Sequence, residues 1–99
     1  MAEGETMRLD RFLWFARLAK TRSAAQTIAE KGTLRLDGRR IERSAVPVRI
    51  GSVLAFSLFG KVRVLRVEAL PSRRGPPAEA LACYQDLIVE NVSQEAPID

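Results

Sequence analysis

Hydrophobic positions along the chain fall into blocks of different period. Leu9, Phe12, Leu13 and Ala16 recur at i, i+3, i+4 and i+7, the spacing of one buried helix face. Arg8, Arg11 and Arg17 are left to other faces, and Asp10 stands in the first turn, where negative charge suits the helix dipole. Thr21 or Ser23 can cap a second helix, in which Ala24, Ala25, Ile28 and Ala29 form a narrow apolar stripe. Alanines this small let two helices approach closely, and Gly32 stands where a left-handed helix cap belongs.

After Gly32 the period drops to two. Leu34 and Leu36 share one strand face with Thr33 and Arg35 on the other. Asp37-Gly38 has the residues of a type I′ hairpin turn. The stretch ERSAVPVRIGS reads as a loop, because Pro47 excludes a central strand and Gly51-Ser52 turns the chain. VLAFSLFGKVRVLRVEAL reads as a second hairpin around Gly60-Lys61, too continuously apolar to be exposed on one whole face. The connector PSRRGPP follows at 71–77. Pro76-Pro77 then opens a predicted helix over 78–90, with Glu79 in its first turn and Leu81, Tyr84, Leu87 and Ile88 on its apolar face. Residues 1–6 are a loose polar lead and 91–99 an acidic tail expected to fray. The pattern predicts one α+β domain: two N-terminal helices on a small, mostly antiparallel sheet, closed by a C-terminal helix.

With 99 residues there is no room for a second core. Net charge is a modest +4, but its distribution is uneven. Residues 7–49 hold eleven Lys/Arg against four acids, whereas residues 75–99 hold five acids and no base. A basic body of this kind suits a polyanion, nucleic acid before an anionic membrane. Histidine is absent and there is one cysteine, Cys83, which argues against a zinc site, a histidine-based nucleophile triad or an internal disulfide. The lone cysteine fits a reducing cytosol and a buried, unreactive role. No phosphate-binding loop, dinucleotide fingerprint or nucleophile elbow is present, the acids form no paired catalytic site, and no cofactor is implied. No apolar run reaches the length of a membrane span, and the acidic start lacks a signal peptide's charged and apolar regions. A non-enzymatic cytoplasmic protein is expected.

The candidate chemistry gathers around the second helix. Its start offers unpaired N–H groups beside Lys20 and Arg22, with hydroxyls from Thr21 and Ser23. If the hairpin folds back on it, Arg35, Arg39 and Arg40 extend the surface and Arg8 reaches it from the first helix, making one cationic ridge for a phosphate backbone. Taken singly, each of these charges is better explained by solvation around a small core; the clustering of bases with few interleaved acids favours a polyanion site for the set. Trp14 and Phe15 are assigned to core packing rather than base stacking. Arg73-Arg74 is either a phosphate clamp or a partner for the acidic tail.

The ordered series RLDRFLWFARLAKTRSAAQTIAEKGTLRLDGRRI, followed by VRIGSVLAF, resembles the S-four RNA-binding domain across about residues 7–57. Joined to SRRGPPAEALACYQDL, it resembles the ribosome-associated fifteen-kilodalton heat-shock proteins of bacteria. The resemblance implies the helix–helix–hairpin (αL) RNA-binding motif over 7–70. It also implies RNA contacts at Arg8, Lys20, Thr21, Arg22, Ser23, Gln26, Lys31, Arg35, Gly38, Arg39 and Arg40. The implied partner is structured RNA, ribosomal RNA or tRNA on the large ribosomal subunit, in stress response or rescue of stalled nascent chains, with the protein acting as a monomer. Three positions depart from the family pattern. Asp37 replaces Asn and adds an anion beside the implied phosphates, Ser52 stands where Asp is commoner, and the C-terminal quarter is acidic where the family often continues into a basic extension. Two other functions fit the same residues: a helix-turn-helix DNA binder, or a protein-interaction module acting through the acidic C-terminal helix.

Overall fold

The computed structural model describes residues 5–58 and 60–87, with Leu58 described in its backbone only. The chain opens with a two-residue strand, β1 (Met7–Arg8), and two helices, α1 (Leu9–Phe15) and α2 (Arg22–Glu30). A hairpin of β2 (Leu34–Leu36) and β3 (Arg39–Ile41) follows, then β4 (Pro47–Val48), β5 (Val53–Leu58) and β6 (Lys61–Val67). A one-turn helix, α3 (Pro77–Leu81), and a final strand, β7 (Tyr84–Asp86), complete the described fold. The main sheet has the order β3-β2-β5-β6-β7 with every pairing antiparallel, and β1 and β4 form a separate ribbon. This is the α+β architecture the pattern predicts.

The helical stripe behaves as expected. Leu9, Phe12 and Leu13 are fully buried and Ala16 nearly so, packed in one core with Ala25 and Ala29 of α2 and with Leu34, Leu54, Phe56, Leu65 and Val67 of the sheet. Thr21 caps α2, its hydroxyl oxygen accepting from the Ala24 N–H at 3.0 Å. Gly32 (φ +86°) ends the helix, and Asp37 (φ +52°) and Gly38 (φ +85°) take the left-handed conformations of the tight turn. Pro47 lies in the edge ribbon, where no ladder bond is required of its missing N–H. The second hairpin closes where Leu58 pairs with Lys61, so Lys61 already belongs to β6 and not to the turn expected at Gly60-Lys61. Its outer face is half-buried at Val53, Ala55 and Val64, but its tip leaves Val62 67% exposed.

The C-terminal helix needs correction. Instead of running over 78–90 it stops after one turn, at Leu81. The Ala82 and Cys83 N–H groups close i→i+3 bonds to Glu79 and Ala80 (3.2 and 3.0 Å), and the Cys83 carbonyl then accepts from Glu68 and Ala69. Those bonds set the chain along the open edge of β6, where Tyr84 pairs with Val67 and Asp86 with Leu65. Sheet pairing thus overrides the local helical period. Tyr84, expected on the apolar face of that helix, is instead part of the sheet. Residues 88–90 of the expected helix and the tail 91–99 lie outside the described residues.

The α1–α2 connector is tightly specified. The N–H groups of Arg17 and Leu18 bond to the carbonyls of Trp14 (3.1 Å) and Leu13 (2.9 Å), a Schellman ending of α1. The left-handed position falls on Arg17 (φ +60°) rather than on glycine, a conformation that costs about 1–2 kcal/mol for an L-residue. Leu18 and Ala19, immediately after it, are buried.

Candidate nucleic-acid interface

The first helix and the start of the second meet at an open cleft of about 360 Å³. Arg8, Asp10, Arg11 and Trp14 line it from the α1 side, and Arg22, Ser23 and Gln26 from α2. Because Thr21 occupies only the Ala24 N–H, the N–H groups of Arg22 and Ser23 have no partner among the described residues. They add partial positive charge beside the guanidiniums. Arg22 stacks on the Trp14 indole, with 5.0 Å between guanidinium carbon and ring centroid, which holds this long side chain at the mouth of the cleft.

One carboxylate sits among these cations. Arg8 grips Asp10 with both arms of its fork, Nε to Oδ1 at 3.0 Å and Nη2 to Oδ2 at 2.9 Å. Burial pushes the Asp10 carboxyl upward, but the Arg8 hydrogen bond and charge, with the Arg11 N–H, more than offset it and hold the group below its ordinary value. The same pairing raises the Arg8 guanidinium. Arg8 is therefore neutralised locally, whereas Arg11, Lys20 and Arg22 have no ion-pair partner among the described residues.

Of the eleven residues singled out, the structure brings Arg8, Arg22, Ser23 and Gln26 together in this cleft. Thr21 is spent on the helix cap, and Lys20 is exposed just before it. Lys31 follows the far end of α2. The hairpin cations divide by register. Arg35 and Arg40 pair directly across β2 and β3, and Arg40 also contacts Glu42 at 3.3 Å. Arg39, opposite Leu36, lies on the other face, where it lines a second cleft of about 520 Å³ with Arg49, Ile41 and Pro47. A Cβ at Gly38 would meet no atom within 4 Å, so glycine there serves the turn's dihedral angles and not a close approach.

Asp37 turns its carboxylate to the protein backbone: Oδ1 accepts from the Val53 N–H at 2.9 Å while the Asp37 N–H donates to the Val53 carbonyl at 2.8 Å. That pair of bonds ties the turn to β5. Ser52, buried, accepts from the Arg49 N–H through its hydroxyl oxygen at 3.1 Å and shapes the turn before β5. Arg73 meets both oxygens of Glu79 at 3.0 Å. Arg74 binds the carbonyls of Trp14 (3.0 Å) and Ala19 (3.2 Å).

Sequence reasoning missed Arg11, Trp14 and Arg49. For the first two a signal existed, because Arg8, Arg11 and Trp14 recur every third residue and so share a helix face. Trp14 was assigned to the core; it packs against the core and also walls the cleft. Nothing local pointed to Arg49, which reaches the second cleft directly after β4.

A model of the S4 domain family matches residues 7–54, the segment that builds α1, the cleft, α2 and the turn-linked strands. An S4-domain protein is thus the class that fold and cleft define. Among curated relatives, Heat shock protein 15 homolog of Haemophilus influenzae is 35% identical over 86 residues, which cover 87% of this chain and 64% of the relative. Heat shock protein 15 of Escherichia coli (strain K12) is 32% identical over 80 residues, 81% of this chain and 59% of the relative. The chain therefore spans between 59% and 64% of the length of these relatives. A solved structure of Vibrio cholerae Heat Shock Protein 15, described as trimeric, is similar with a TM-score of 0.77 and 30% identity, covering 84% of this chain and 83% of that one. The chain belongs to the heat shock protein 15 family. Among the described residues no helix is long and apolar enough to cross a membrane.

Proposed function

We infer that this protein binds structured RNA without catalysing a reaction on it, through the cleft between α1 and α2, and that it does so on the large ribosomal subunit in stress response or rescue of stalled nascent chains. The observation that carries the reading is the convergence of Arg11, Arg22, the free N–H groups of α2 and the amide of Gln26 on one open cleft. Phosphates would sit on the cations and the helix start, as at other helix N-termini. Deep, narrow A-form major grooves leave little room for reading bases, so shape and backbone select the site and sequence preference is weak. A monomer is the proposed binding unit; light scattering tests it, with a trimer like that of the Vibrio cholerae protein as the alternative.

Six phosphate contacts would give a slope of about −4 to −5 for log K against log[salt]. Replacing Lys20 and Arg22 together by Ala should flatten that slope by about 1.4–1.8 while leaving the melting curve near wild type, since both side chains are exposed. Fluorescently labelled large-subunit ribosomal RNA is the probe, with duplex DNA as competitor. Equal binding by the double variant would sink the assignment of this surface. Preferential displacement by DNA would favour a helix-turn-helix reading instead.

A further inference from the structure

The connector after β6 lies outside the matched residues 7–54, yet it grips the base of the cleft. Arg17 and Arg74 reach across in opposite directions. The Arg17 Nε donates to the Gly75 carbonyl at 2.7 Å, and one Arg74 Nη1 donates to the carbonyls of Trp14 and Ala19. Those two carbonyls flank the tight ending of α1, from which the chain turns to present Lys20 and Arg22. Arg74 also lies 5.6 Å from the Trp14 ring centroid, and Arg22 lies 5.0 Å from the same ring. One indole thus contacts two guanidiniums, one on the connector and one in the cleft. Arg74 is half-buried, and its partners among the described residues are backbone carbonyls and the indole.

We propose that Arg74 is a positioning residue for RNA binding: it locks the α1–α2 connector and the Trp14 indole, and through them holds Arg22 in its phosphate-binding pose. The inference rests on the RNA-binding reading of the cleft. The physical gain is preorganisation. A free arginine loses rotamer freedom when it binds a phosphate, and a side chain already stacked on a fixed ring has less to lose. Arg73 plays no such part, because its Nη2 is directed to the Glu79 carboxylate of α3.

A double-mutant cycle on the full chain, with labelled large-subunit ribosomal RNA as probe, tests this. Arg74→Ala should weaken binding about five-fold in the wild-type background and less than two-fold in Arg22→Ala, because residues that act through one another are not additive. Arg74→Lys keeps a charge and a donor for the connector, so folding survives. It should still lose about three-fold, since an ammonium can reach the carbonyls but has no planar group to lay on the indole. A circular-dichroism melt of each variant confirms the fold at the assay temperature, and Arg74→Lys carries the cycle if Arg74→Ala melts below it. Equal losses in both backgrounds, or wild-type binding by Arg74→Lys, would overturn the positioning role. Unchanged affinity in Arg22→Ala alone would overturn the RNA reading of the cleft, and this inference with it.

Discussion

Asp10 is the carboxylate inside a cationic cleft, and replacing it tests the electrostatics of the site more sharply than removing a cation. In Asp10→Asn the fork that holds Arg8 at 2.9–3.0 Å loses its charged acceptor, and Arg8 becomes available to a phosphate. One added phosphate contact steepens the salt slope by about 0.7–0.9. Carried from 1 M down to 0.15 M salt, that slope gives a gain in affinity of about four- to five-fold. Stability moves the other way. The pair is partly exposed, with side chains 49% and 12% accessible, so solvent screens it and its loss lowers stability only slightly. Losing the charge in the first turn of α1 adds about 0.3–1 kcal/mol. For a domain of this size each kcal/mol lowers Tm by about 4–8 °C. The assay is fluorescence anisotropy with labelled ribosomal RNA at several salt concentrations between 50 and 400 mM, beside a thermal melt. Weaker binding with an unchanged slope would refute the reasoning, because it would mean that Asp10 orients Arg8 for RNA rather than masking it.

Two further outcomes concern the fold. Leu13→Ala removes a fully buried side chain from the centre of the core and should destabilise by about 2–5 kcal/mol in urea unfolding; a loss under 1 kcal/mol would place Leu13 outside the core. Acid stability should carry the mark of Asp10. Its folded value lies below the ordinary one, so its contribution is complete above the unfolded pKa of about 3.9 and is lost as pH falls through the lower folded value. The stability profile of Asp10→Asn should therefore fall less steeply than wild type below about pH 4, and parallel acid limbs would show that the pairing does not form in solution.

Periodicity made α1, α2 and the Asp37-Gly38 turn legible, because each is specified by residues close together in the chain: a 3.6-residue apolar stripe, a threonine cap, a turn that demands positive φ. It failed after Leu81. The apolar positions 81, 84, 87 and 88 carry a helical period, but Tyr84–Asp86 pair with β6, and the open edge that attracts them lies some twenty residues earlier. Half of the site was visible for the same reason that the helices were. Arg8, Arg22, Ser23 and Gln26 sit at helix starts or on a helix face, whereas the split of Arg39 from Arg40 depends on strand register.

By itself, the sequence determined the class of fold, the polyanion-seeking charge and the cations that begin α2, since composition, period and capping are local properties. Only the tertiary structure decided which cations are usable. It put Asp10 against Arg8, turned the Asp37 carboxylate onto the Val53 N–H, and carried Arg74 back across more than fifty residues to the carbonyls of Trp14 and Ala19. Each of these pairings follows from how close two groups come in space, which no local pattern encodes.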